Sequence, residues 1–309
     1  METSLKELDF LDSFDLLWSK SIDKYDKNQL NLFLLKINSN EFDYNLLVDT
    51  LLDPMVDYAI SRKVKEKYKN KPATLSKKAR EKFVDYTMNN GELGELLLFC
   101  FLETHLGAPK ILTKLELKTS TNHYVNGSDG VHFLKLKNGN YQLIFGESKT
   151  FKDIKPAISD AFKSIYKFKN SINRVGNEKS GLHYEKSLIS DNLQKETFSE
   201  EEMKFLESLI YPSQDRNFDV DDAFGIFIGF QIEVSDEEKA MPVSTFRDMI
   251  KTRVSNEVQN SLEYIQKKII DYKLQGHNFY IYVLPFTDID VKRKSIMEAI
   301  TKWHFLRNL

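Results

Sequence analysis

Between Leu96 and Leu102 the chain runs through seven apolar residues, LLLFCFL, with no polar side chain among them. A segment with so little polar face belongs inside a protein, packed against other elements on several sides. It is also far too short to cross a bilayer. Its periodicity fits a buried strand as well as a buried helix. The Asn90-Gly91 turn before it and the lead-in Gly91-Glu92-Leu93-Gly94-Glu95 favour a helix from about Gly91 to His105. With 309 residues the chain can build such a core as one large α/β domain or as two modest ones.

Around this segment the pattern alternates between strands and helices. Residues Leu30 to Ile37 (LNLFLLKI) have strand length and composition, and Phe42 to Ile60 has helical spacing with a bend at Pro54. The first twenty-five residues read as a helical or partly ordered extension. Ile111 to Lys118 alternates as a strand, and Val131–Lys137 and Tyr141–Lys149 form a hairpin about Asn138-Gly139. Ile154 to Phe168 is helical, Asn170 to Glu196 is polar and irregular, and Ser199 with Glu202 forms a capping box. A buried strand at Ala223–Val234, a long helix at Thr245–Leu274, a strand at Phe279–Phe286 and a helix at Val291–Leu306 complete the chain. The pattern predicts an α/β fold with a mixed central sheet flanked by helices. It divides into an N-terminal extension, 1–75, packing on a core domain, 76–309.

Composition narrows the function. Lys and Arg total 44 against 46 Asp and Glu, which argues against a wholly basic nucleic-acid binder but leaves room for a local basic face. Such a face exists: from Arg62 to Lys82 ten basic residues oppose only Glu66 and Glu81, a local charge of +8. It reads either as a solvated helix surface or as a phosphate-contacting one. The single cysteine, Cys100, excludes an internal disulfide and a CxxC metal knuckle. The acidic N-terminus lacks the pattern of a signal peptide, so a soluble, cytoplasmic protein is expected.

The chemistry concentrates between Gly91 and Lys149. Glu147 and Lys149, two apart at the end of a strand, share a face. Asp129 enters the neighbouring hairpin strand, and Glu92 and Glu95 open the apolar helix. Phosphodiester hydrolysis needs a hard cation, an activated water and compensation of charge on the phosphate, and carboxylates with a nearby ammonium provide for all three. The acid-x-Lys spacing means little alone, since it starts at seven positions: Glu116, Glu147, Asp153, Glu202, Glu237, Asp271 and Asp290. Glu116-Leu117-Lys118 is the nearest rival because it too reads as strand. Only Glu147 combines a following helix with an acid on a hairpin partner. Plainer roles exist for each residue: Glu92 and Glu95 complement a helix dipole, Asp129 suits a turn, and Glu147 with Lys149 could be a surface ion pair.

A helix acid, a pre-strand acid and a strand-end acid-x-Lys, in that order, resemble the PD-(D/E)xK nuclease superfamily with its restriction-endonuclease-like fold. More closely, GELGELLLFCFLETHLGAPK, GSDGVHF and FGESKTF resemble segments of the HamA family of the Hachiman anti-phage defence system. The resemblance implies that Glu95, Asp129 and Glu147 bind Mg²⁺, or Mn²⁺ in its place, and that Lys149 is the catalytic lysine. Glu92 competes with Glu95 for the helix-acid role, and Ser128 stands where the superfamily name has proline. It further implies a DNA nuclease working with a HamB-type superfamily 2 helicase, with no membrane partner. The alternative is a subunit that keeps the fold only to dock DNA or a partner. The choice of DNA over RNA comes from the resemblance alone.

Other chemistries find no support. No GxxxxGK[ST] phosphate loop occurs, so ATP-driven loading would belong to another polypeptide. The six histidines show no HExxH spacing, and no GxSxG elbow is present. Cys100 sits in the apolar run as a core residue, and His132 reads as a strand histidine despite its closeness to Asp129.

Overall fold

A computed structural model describes residues 1–5, 9–83, 91–117, 127–170, 181–211 and 216–302. Asn90, Lys118, His123, Asn126 and the expected helix end at Leu306 lie outside the described residues. A 3₁₀ turn (Asp9–Ser13) leads into strands β1 (Phe14–Ser21) and β2 (Asn28–Leu35) and a minor pair, β3 (Ile37–Asn38) and β4 (Glu41–Phe42). Helices α1 (Tyr44–Leu51), α2 (Pro54–Ala59), α3 (Arg62–Tyr68), α4 (Pro72–Lys82) and α5 (Glu92–Thr104) follow. Next come β5 (Lys110–Thr113), α6 (Lys114–Leu117), β6 (Gly130–Lys135), β7 (Tyr141–Thr150), α7 (Ile154–Lys169), α8 (Gly181–Asn192) and α9 (Glu200–Ile210). The remainder is β8 (Val220–Gln231), α10 (Asp236–Lys239), α11 (Val243–Gln259), α12 (Leu262–Asp271), β9 (Asn278–Phe286) and α13 (Ile289–Thr301).

Seven strands form one mixed sheet in the order β1-β2-β9-β8-β7-β6-β5. The four inner strands β2, β9, β8 and β7 are parallel, and β1, β6 and β5 join them through antiparallel pairs. β1 and β2, inside the N-terminal extension expected over 1–75, are thus strands of the main sheet. The apolar run forms α5, whose side chains are buried from Glu92 to Glu103. It seats on the sheet because glycines leave room: a Cβ at Gly146 or Gly225 would come within 3.1 Å of Leu98 or Leu102. Helix α7 covers the opposite face, where Phe168 meets Phe145 and Phe162 meets Phe279. The hairpin β6–β7 turns at Gly139, which adopts a positive φ of 88°.

Four local readings change. Residues 14–21 form an edge strand rather than a helical extension, with a register shift between Leu16 and Trp18. The polar stretch after Asn170 contains α8, whose buried residues include Glu185 and Ile189. The helix expected from Thr245 to Leu274 is two helices, broken at Asn260-Ser261, where Ser261 Oγ donates to the Glu257 carbonyl. The strand over Ile111–Lys118 ends at Thr113, and Glu116 lies on the single turn α6.

That turn rests on a buried polar layer. The Lys110 ammonium pairs with Glu116 and donates to the Asp57 carbonyl at 2.7 Å, all away from solvent. Nearby, one Glu196 oxygen accepts the Arg62 N–H at 3.2 Å, and the other is buried with no partner among the described residues. Burial, reinforced by the charge of Glu116, pushes the Glu196 carboxyl up to about 7. A raised carboxyl favours the fold below its unfolded value near 4.5, and that contribution disappears as pH rises through 7. Glu196→Gln should therefore gain stability relative to the parent between pH 5 and pH 8, on the order of 1–3 kcal/mol or a few degrees in Tm. An equal Tm difference at both pH values, measured by calorimetry, would contradict this account.

Candidate active site

The hairpin and α5 deliver the acidic residues from opposite sides of the sheet. Strand alternation puts Glu147 and Lys149 on the α7 face with Phe145, while Gly146 and Ser148 face α5. The β6–β7 register pairs Val131 with Phe145, and Asp129 N–H donates to the Gly146 carbonyl at 2.9 Å. Asp129 is then fixed through its side chain: one carboxylate oxygen accepts both the N–H (2.8 Å) and the Oγ–H (3.0 Å) of Ser148. The residue between Glu147 and Lys149 therefore anchors the acid across the hairpin.

Two lysines pair with acids of the cluster. Lys149 Nζ lies 2.6 Å from Glu147 Oε1 and 3.6 Å from Asp160 Oδ2 on α7. Lys114, the first residue of α6, lies 3.2 Å from Asp129 Oδ1 and 3.3 Å from Glu95 Oε1. The other Glu95 oxygen accepts the Tyr58 hydroxyl at 2.9 Å. Glu92 is buried in the same first turn of α5 and adds to the negative field on Tyr58.

The electrostatics follow from this packing. Burial, helped by Glu95 and Asp129, drives the Tyr58 phenol far upward, so it remains a donor. Burial and the Asp129 charge push Glu147 up to about 7, against the opposing pull of Lys149 and Lys114. Burial alone would lower both lysines. The carboxylates outweigh it, Asp129 and Glu95 raising Lys114 and Glu147 raising Lys149. Lys149 is accordingly a charged donor able to orient water or a phosphate oxygen, not a free amine able to take a proton.

All four residues expected to form a site, Glu95, Asp129, Glu147 and Lys149, are joined here by ion pairs, hydrogen bonds or mutual charge effects. Lys114, Tyr58, Ser148 and Asp160 join them without having been foreseen. Only Ser148 had a visible signal, being the middle residue of the acid-x-Lys pattern. Glu185 on α8 also reaches the site region, accepting from Ser128 Oγ at 2.8 Å beside Asp129. The rival acid Glu116 is instead committed to Lys110. His132 is buried and donates from Nδ1 to the Ala108 carbonyl at 2.9 Å, and Cys100 is a core thiol. No helix among the described residues is long and apolar enough to cross a membrane.

The donor set suits a hard cation by its chemistry. The candidate ligands are carboxylate oxygens, the donors a hard cation prefers, and Glu147 is buried beside the Asp129 charge. As they stand, no three His, Cys, Asp or Glu side chains among the described residues converge on one point as a ready chelate. Lys114 lies between two of the carboxylates instead.

A search of curated proteins returns no match. A family model described as HamA matches residues 10–300.

Proposed function

This chain belongs to the HamA family, and on that premise we propose that it is a metal-dependent DNA nuclease of Hachiman antiviral defence that works with a helicase partner. The observation carrying this reading is the pairing of Glu147 with Lys149 on one strand face, beside an Asp129 anchored through Ser148. An acid-lysine pair at a surface strand end would serve as a weak ion pair. Here the Glu147 side chain is only 13% exposed and lies in the field of a second acid, an arrangement costly to maintain without a use.

Asp129 and Glu147 would hold Mg²⁺, or Mn²⁺, with Glu95 as the third ligand and Glu92 as the competing helix acid. The ion, when bound, supplies Lewis-acid charge for phosphodiester hydrolysis. Lys149 keeps its proton, orients the attacking water and offsets charge growing on the phosphate. Ser148 fixes the angle of the Asp129 carboxylate, and Tyr58 fixes that of Glu95. Asp160 limits the swing of Lys149 from the α7 side.

Backbone contacts with little sequence preference would come from two exposed lysine surfaces. On α7 and the loop before it these are Lys152, Lys155, Lys163 and Lys167. On α3 and α4 the +8 segment is partly spent internally: Arg62 pairs with Glu202, and Lys65 pairs with Asp57. Lys63, Lys67 and Lys71 remain exposed there.

The test is cleavage of linear and supercoiled DNA with Mg²⁺, Mn²⁺ or chelator, with and without the helicase and ATP. Cleavage that needs a divalent ion is expected. DNA or partner binding without cleavage under any metal would favour the docking-subunit reading, and cleavage confined to RNA would overturn the substrate.

A further inference from the structure

The carboxylates assigned to the cation are already occupied by the protein's own donors. Asp129 gives one oxygen to Lys114 and the other to Ser148, Glu95 gives one to Lys114 and the other to Tyr58, and Glu147 takes Lys149. Among the described residues Lys114 bridges two of them, one from α5 and one from the segment before β6. We infer that Lys114 is an internal counter-ion, bridging Glu95 and Asp129 where a divalent cation would sit, and that the cation binds only by displacing its ammonium. The inference rests on the reading that Glu95, Asp129 and Glu147 form a cation site.

Three features make displacement feasible. Lys114 is the first residue of a single helical turn, so its side chain can move without unravelling a long element. Its side chain is 21% exposed and so not sealed in the core, whereas that of Lys110 is 1% exposed and paired with Glu116. Finally, Lys114 Nζ stands 3.2 Å from Asp129 Oδ1 and 3.3 Å from Glu95 Oε1, so a divalent ion on those oxygens beside an unmoved Lys114 would meet a repelling charge at short range. A released Lys114 would also become available to a phosphate. Cation loading and polyanion binding would then favour each other.

Calorimetric titration of Mn²⁺ into the full-length wild-type protein and its Lys114→Met and Lys114→Gln variants tests this directly, with Asp129→Asn as the control for binding at this site. Lys114→Gln keeps an amide donor in case the apolar variant does not fold. Both substitutions should tighten Mn²⁺ binding by about tenfold or more, lower the metal-free Tm and enlarge the rise in Tm on adding Mn²⁺. Equal or weaker binding in a folded Lys114 variant overturns the counter-ion role while leaving the cation site standing. If neither the wild type nor a folded Lys114 variant binds Mn²⁺ at millimolar concentration, or if Asp129→Asn binds as wild type does, the cation-site reading falls and this inference with it.

Discussion

Lys149→Ala and Glu147→Ala are expected to lower metal-dependent DNA cleavage by about a thousandfold or more, while the variants keep the fold of the parent. The size follows from where the two side chains lie. Lys149 is held charged by Glu147, Asp129 and Asp160, and no other described lysine pairs with Glu147. Lys114 is placed differently, reaching Asp129 and Glu95 rather than Glu147. Neither residue belongs to the apolar core, so circular dichroism and Tm should change little. Lys149→Ala should even relieve part of its own cost, since an unpaired Glu147, already near 7, can take up a proton. Cleavage by either variant at the parental rate would show that the reacting centre lies elsewhere. A lost fold would show that the pair is structural.

Asp160 offers a graded version of the same experiment. Its contact with Lys149 is longer, 3.6 Å, and its side chain is 45% exposed. Asp160→Asn should therefore reduce cleavage only a few-fold, on the scale of an exposed ion pair. A loss matching that of Lys149→Ala would promote Asp160 from a positioning residue to an essential one.

The parts of this architecture that could be read from the chain are those set by local pattern. The Asn138-Gly139 hairpin, the enclosed helix at α5 and the acid-x-Lys strand each carry their signal within a few residues. The long C-terminal helix misled because Val258, Leu262, Ile265 and Ile269 keep helical spacing across the break at Asn260-Ser261. Apolar spacing cannot register a change of axis when the backbone breaks without changing the burial pattern. β1 was hidden for a different reason. It is an edge strand whose partner is β2, and a chain segment shows nothing of its pairing partner. α8 was hidden because its buried residues include Glu185, a polar side chain that no hydrophobic pattern detects.

The site divides in the same way. Glu95, Asp129, Glu147 and Lys149 could be named because each stands at a recognisable boundary, a helix start, a strand entry or a strand end. Lys114 stands at a boundary too, between β5 and α6, but the expected strand ran through it to Lys118 and so turned its neighbour Glu116 into a rival. The strand gives way at Thr113 to a local polar turn that apolar alternation does not register. Glu116 reaches back to accept the Thr113 N–H at 3.0 Å and to pair with Lys110, curling the chain into a turn.

That contact leads to the largest expected effect on stability. Lys110→Met should cost about 3–5 kcal/mol, because it strands the Glu116 carboxylate in a buried setting and leaves the Asp57 carbonyl without its donor. Burial by itself would push the Lys110 ammonium down, yet Glu116 and Glu196 hold it charged. Lys110→Met combined with Glu116→Gln should recover much of the loss, since the amide oxygen can still accept the Thr113 N–H and the stranded Glu116 charge is removed. Urea unfolding of the two single variants and the double variant measures this coupling, and additive losses would rule out a mutually dependent pair. The effect should extend to the site, because Glu116 and Lys114 share the turn that this pair secures. A Lys110→Met protein that still folds should therefore hold Lys114 less firmly between Glu95 and Asp129, and should bind Mn²⁺ with altered affinity although no candidate ligand has been touched. Unchanged Mn²⁺ binding alongside the full stability loss would show that the turn and the acidic cluster are mechanically independent.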